Sequence, residues 1–166
     1  MSSSKLQPGI YTMWSRKKSH LPIEGIPDPG VSDMSVYAVS TPDDKVTLEP
    51  MLSDDAKFKW IFTSVKPESN QVYISPKNAP EKFWNESRDS ENPFTLSEKK
   101  AAFTIIPIKQ EKSTTTCVIR PDGAPDVAWV GGADHPDLGK IVALIWAGGL
   151  KDANYPIWSL SYQGSA

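Results

Sequence analysis

The stretch Phe103-Thr104-Ile105-Ile106-Pro107-Ile108-Lys109-Gln110-Glu111-Lys112-Ser113-Thr114-Thr115-Thr116-Cys117-Val118-Ile119 sets two apolar, β-branched runs on either side of the polar segment Gln110 to Ser113. Runs of this kind joined by a short polar turn read as two strands of a hairpin. The same join occurs earlier, where Trp60-Ile61-Phe62 leads across Lys66 to Asn70 into Gln71-Val72-Tyr73-Ile74. Two further runs complete the pattern: Gly9-Ile10-Tyr11-Thr12-Met13 near the start and Trp158-Ser159-Leu160 near the end. Each third of the chain therefore opens on an alternating strand and closes on an aromatic-x-apolar strand, a weak internal repeat.

Working outward, 15 Pro and 10 Gly are spread along all 166 residues and interrupt every stretch that might carry an amphipathic helix. Between them lie twelve strand-like runs: Ile10 to Ser15, Val36 to Ser40, Lys45 to Pro50, Phe58 to Val65, Gln71 to Ser75, Lys82 to Glu86, Pro93 to Ser97, Ala102 to Lys109, Thr115 to Arg120, Val127 to Val130, Lys140 to Trp146 and Ile157 to Tyr162. Leu96 to Ala102 and Val142 to Leu150 leave room for a helical reading. Four strands in each of three repeats predict an all-β fold, a β-trefoil of twelve short strands in three unequal repeats around a closed barrel, whose closure removes exposed edges. Residues 1–8 read as a flexible tail and 9–163 as a single domain.

The charge pattern excludes several partners. Lys and Arg number 18 against 20 Asp and Glu, a net charge of -2, and no basic block stands apart, so neither nucleic acid nor an anionic membrane surface is an expected partner. The longest apolar run, Ile141 to Leu150, is too short to span a bilayer. Met1 to Pro8 shows no apolar segment of a secretory signal, which makes a cytoplasmic location the expectation. Cys117, the one cysteine, lies in an apolar run and reads as a buried thiol, consistent with a monomer.

No catalytic constellation stands out. His20 and His135 lie apart, outside metal-ligand spacing, so no metal or cofactor is expected. Gly131-Gly132 and Gly148-Gly149 lack the companions of a phosphate loop and read as turns. Asp28, Asp33, Asp43, Asp44, Asp54 and Asp55 read as turn residues and solvated charge, and Arg16-Lys17-Lys18 as a solvated run. Asn85-Glu86-Ser87 matches a glycosylation acceptor that has no meaning without secretion. The chain is not expected to be an enzyme. Trp84 beside Asn85 is either a strand residue packed under a loop or an exposed platform for a sugar. The segment Arg16 to Ser35 is longer than compact connections usually need, and its prolines suit either a binding loop or a cover over the barrel end.

Pro27-Asp28-Pro29-Gly30-Val31, followed by Val36-Tyr37-Ala38-Val39, Val46-Thr47-Leu48-Glu49-Pro50, Lys59-Trp60-Ile61 and Asn78-Ala79-Pro80, resembles in order and spacing the mycocypins, fungal cysteine-protease inhibitors of the clitocypin and macrocypin type. The likeness covers residues 9 to 84, beyond which the agreement is in strand pattern. Ala128-Trp129-Val130 and Leu144-Ile145 look similar to the cospin type, fungal trefoil inhibitors directed at trypsin. The resemblance implies a reversible inhibitor that blocks papain-like proteases with two loops, one containing Pro27, Asp28, Pro29, Gly30, Val31, Ser32 and Asp33, the other running from Met51 to Lys57 and containing Ser53, Asp54 and Asp55. Ser32-Asp33 stands where the family has a Gly-Gly pair, and its side chains would crowd a close approach and add desolvation cost.

The resemblance also implies that the loop after the fifth strand serves legumain, a protease that cleaves after asparagine, through Asn78 with Lys77, Ala79 and Pro80 around it. Pro76 and Pro80 are expected to hold this loop extended and leave the Asn78–Ala79 amide free to dock. A plain turn asparagine is the other reading of Asn78, and Lys77 is the anchor that a trypsin-like pocket would take. A carbohydrate-binding trefoil and an inhibitor of trypsin-like serine proteases are the alternative functions.

Overall fold

The computed structural model describes residues 6–16, 36–50, 55–66, 69–87, 89, 91–124, 128–146 and 156–165. The described chain is all-β. Its strands are β1 (Gly9–Arg16), β2 (Val36–Ser40), β3 (Val46–Glu49), β4 (Trp60–Ser64), β5 (Gln71–Pro76), β6 (Phe83–Trp84), β7 (Leu96–Ser97), β8 (Phe103–Glu111), β9 (Thr114–Pro121), β10 (Ala128–His135), β11 (Gly139–Trp146) and β12 (Ile157–Gly164). Helical backbone among the described residues is confined to a 3-10 turn at Ala56–Phe58.

Six strands pair antiparallel in a cycle: β1 with β12, β12 with β9, β9 with β8, β8 with β5, β5 with β4, and β4 back to β1. These are the strands that the sequence reading takes as openers and closers. The remaining strands form three hairpins, β2–β3, β6–β7 and β10–β11. Each hairpin touches the other two. Lys45 bridges Thr95 and Pro93 bridges Ala143, while Ile141 of β11 pairs with Thr47 of β3. The Val46 and Phe94 amides donate across the same contacts, to the Phe94 carbonyl at 2.9 Å and the Val142 carbonyl at 2.8 Å.

At or next to the start of each closing strand an aromatic side chain faces the core: Trp60, Phe103 and Trp158 are all fully buried. Two of them place the indole N–H on a hairpin carbonyl, Trp60 on Ala38 at 2.9 Å and Trp158 on Val130 at 2.8 Å. In the middle repeat the indole belongs to the hairpin instead. Trp84 of β6 is fully buried and meets Trp60 edge to face at 5.3 Å and Phe103 at 5.7 Å. Aromatic contacts of this geometry contribute about 1 kcal/mol each beyond the area they bury.

Several sequence expectations are corrected. Gly131-Gly132 is not a turn but lies inside β10, paired with Ala143 and Val142. The reason is close packing, since a Cβ on Gly131 would stand 2.5 Å from Pro156 Cγ and one on Gly132 would stand 2.8 Å from Leu48 Cδ1. Phe58 belongs to the 3-10 turn rather than to the following strand, because the Asp55 carboxylate accepts from the Lys57 amide at 3.1 Å and holds that turn. Leu96 to Ala102 forms no helix; its first two residues are β7. At the N-terminus, Leu6 is buried and donates its amide to Asn70 Oδ1 at 2.9 Å, so the packed chain begins before Gly9.

Candidate functional site

Strand β5 ends at the buried Pro76, and the chain then reverses. The Ala79 amide donates to the Pro76 carbonyl at 3.1 Å, which makes Pro76-Lys77-Asn78-Ala79 a β-turn. Its base is anchored, because the Lys77 amide donates to the Lys59 carbonyl at 3.0 Å. A second turn follows at once, closed by the Lys82 amide on the Ala79 carbonyl at 3.0 Å. Lys77, Asn78 and Pro80 are exposed and Ala79 is half-buried. The expectation of an extended loop with a free Asn78–Ala79 amide is therefore overturned: that amide is spent inside the turn. The strand register carries Pro76 against Trp60, and asparagine suits a turn's central position, so the reversal wins over proline stiffening.

The Asn78 turn forms one rim of a surface hollow of about 410 Å³. Ser40 at the end of β2, Thr41 and Asp44 from the β2–β3 connection, Asp55 and Lys57 from the 3-10 turn, and Lys82 are among the residues that line it. The Ser40 hydroxyl donates to the Asn78 carboxamide oxygen at 3.4 Å. Lys82 Nζ lies 2.6 Å from Asp44 Oδ1, a contact that holds the lysine above its ordinary value. Lys57 Nζ lies 3.1 Å from Glu49 Oε1. Asp44 thus does more than turn the chain: it adopts a left-handed φ of 62°, accepts the Leu96 amide at 2.8 Å and pairs with Lys82.

Among the residues expected to contact proteases, the structure brings Asp55, Asn78 and Ala79 to one hollow. Lys77 stands beside it, exposed. Pro27, Asp28, Pro29, Gly30, Val31, Ser32, Asp33, Ser53 and Asp54 lie outside the described residues, as do Lys17, Lys18 and His20. Lys57 is the last residue of the second loop expected to contact papain-like proteases, whereas sequence reasoning did not single out Ser40 or Lys82. The one visible signal for this wall was the Thr41-Pro42-Asp43-Asp44 turn composition.

Two other expectations find their answer here. The Trp84 indole is fully buried, so it offers no platform to a sugar. Cys117 is also fully buried, and burial pushes its thiol above the ordinary range, the state of a packed rather than a reactive cysteine. Among the described residues no group of three or more His, Cys, Asp or Glu side chains is placed to hold a metal ion, and no helix is long and apolar enough to cross a membrane. In comparison with known proteins, no family model and no curated protein matches the chain.

Proposed function

We propose that this chain is a β-trefoil that reversibly inhibits cysteine proteases, with the Asn78 turn as the element offered to an asparagine-specific protease of the legumain type. The trefoil reading is supported by the six-strand pairing cycle and by three hairpins in mutual contact, one from each sequence repeat. The observation that carries the functional reading is an exposed asparagine at the tip of a turn whose two ends are tied to the body of the fold. A side chain presented this way loses little freedom when a pocket takes it, which favours binding. The same turn spends the Ala79 amide internally, so the Asn78–Ala79 bond is not laid out as an extended substrate. Binding without efficient cleavage is what an inhibitor requires. Papain-like proteases are the second target class, engaged through the segment Pro27 to Asp33 and through Ser53 to Asp55.

The experiment is inhibition of legumain, papain and trypsin side by side by the wild-type chain and by Asn78→Ala. The expected result is that wild type inhibits legumain and papain, and that Asn78→Ala weakens legumain inhibition by at least about tenfold while leaving papain inhibition intact. No inhibition of any of the three would overturn the reading. Inhibition of trypsin alone, lost in Lys77→Ala, would assign the turn to serine proteases.

A further inference from the structure

A second hollow, of about 750 Å³, shares no lining residue with the first and has the bridged pair Lys45 and Thr95 in its own lining. Its walls come from the β6–β7 hairpin loop and from the β10–β11 turn. We infer that this hollow is a binding site for a short neutral glycan, in the mono- to disaccharide range. The site is independent of the protease reading.

Size is the first argument, since the volume falls within the range of small-molecule sites. Charge is the second. The ammonium groups of Lys45 and Lys99 are matched by the carboxylates of Glu86 and Asp137, and none of the four has an ion-pair partner among the described residues. A lining that carries both signs in equal number has no preference for a phosphate or a cation. It does present donors and acceptors together, and a sugar hydroxyl, which donates and accepts at once, uses both.

Third, two polar groups in the hollow are fixed before any ligand arrives. The Asn85 carboxamide nitrogen donates to Ser97 Oγ at 2.7 Å and to the Lys99 carbonyl at 3.3 Å, so its oxygen remains as an oriented acceptor. His135 Nδ1 accepts the Asp137 amide at 3.0 Å and the Leu138 amide at 3.1 Å. With that nitrogen occupied as an acceptor, the neutral ring carries its proton on Nε2, which has no partner among the described residues and stands as a donor. Groups locked by their own neighbours bind without a further ordering cost. Pro93 and Leu138 add apolar surface against which the C–H face of a pyranose can lie.

The test is a titration of the isotope-labelled full chain with chitobiose, mannobiose and lactose, following backbone amide shifts. At least one of the three should give saturable shifts at Asn85, Glu86, Lys99 and His135 to Leu138, with a dissociation constant of order 1 mM. Glu86→Ala and Asp137→Ala remove exposed carboxylates and leave the hydrogen-bonded frame in place; each should weaken that binding by about tenfold. Absence of saturable shifts with all three disaccharides would overturn the inference. So would shifts confined to other surfaces, or binding unchanged in both variants.

Discussion

Trp60 and Trp158 make the same hydrogen bond in different thirds of the chain, each indole N–H donating to a hairpin carbonyl, Ala38 at 2.9 Å and Val130 at 2.8 Å. Both indoles are fully buried, so the bond satisfies two groups that have no access to water. Trp84 occupies the middle third's hairpin and is also fully buried, yet its N–H has no acceptor among the described residues.

From this contrast follows an ordering of three conservative variants. Trp60→Phe and Trp158→Phe each remove a hydrogen bond to a hairpin carbonyl and leave a small void, and each should cost about 2–3 kcal/mol. Trp84→Phe removes a donor that makes no bond, so the void is offset by relief of an unsatisfied N–H and the cost should fall to about 1 kcal/mol or less. Urea unfolding of the three variants checks the order. A Trp84→Phe loss equal to the other two would show that the indole N–H of Trp84 is in fact satisfied.

Stability should fall in strong alkali through Tyr11. Burial first, and then the neighbouring Tyr162 and Cys117, raise its phenol from the ordinary 10.0 to about 12. Its O–H also donates to the Gln7 carbonyl. The unfolded chain gives up this proton near pH 10 while the folded chain keeps it, so the stabilisation is whole below pH 10 and is lost as pH rises towards 12. About 2 kcal/mol is at stake. Denaturant unfolding at stepped pH checks this, with Tyr11→Phe as the control that flattens the slope. An equal slope in the variant would assign the loss to other groups.

Much of the fold is legible because strand formation here follows local alternation. The openers and closers read as strands from their own residues, and the positions Trp60, Phe103 and Trp158 read as equivalent before any pairing is known. What was not legible depends on residues far away in sequence. Gly131-Gly132 has the composition of a turn; its place in a strand comes from pairing with Ala143 and Val142, and Pro156, Ile145 and Leu48 leave no room for side chains there. The hollow beside Asn78 rests on Lys82 meeting Asp44 across 38 positions, which no local spacing announces. At Asn78 itself two local rules conflict: proline flanks argue for extension and asparagine for a turn. The carbonyls of Pro76 and Lys59 decide it.

Gly131 supplies a direct test of that long-range cause. If the glycine is there for packing, adding one methyl must be costly even though the backbone is ordinary strand. A Cβ would approach Pro156 Cγ to 2.5 Å, Pro156 Cβ to 2.7 Å and Ile145 Cγ1 to 2.9 Å. Gly131→Ala should therefore destabilise by about 1–3 kcal/mol. A pair of variants separates the causes: Pro156→Ala made together with Gly131→Ala should recover part of the loss. A fully additive double variant would mean that the strain lies elsewhere.

If the chain inhibits an asparagine-specific protease as proposed, the turn around Asn78 predicts how it behaves over a long incubation with that protease. Cleavage requires the Asn78–Ala79 bond to lie extended across the active site, and that requires the Ala79 amide to leave the Pro76 carbonyl. Pro76 resists this, because its fixed φ reduces the conformations the turn can reach when that hydrogen bond opens. Wild type incubated with legumain should therefore remain intact by mass spectrometry over many turnover times of a peptide substrate. Pro76→Gly should keep the asparagine, bind more weakly and be cut after Asn78 several-fold faster. Equal cleavage of both chains would show that the turn gives no protection, and that whatever inhibition is seen comes from contacts elsewhere on the hollow's rim, with Asp55 and Lys57 the first to mutate.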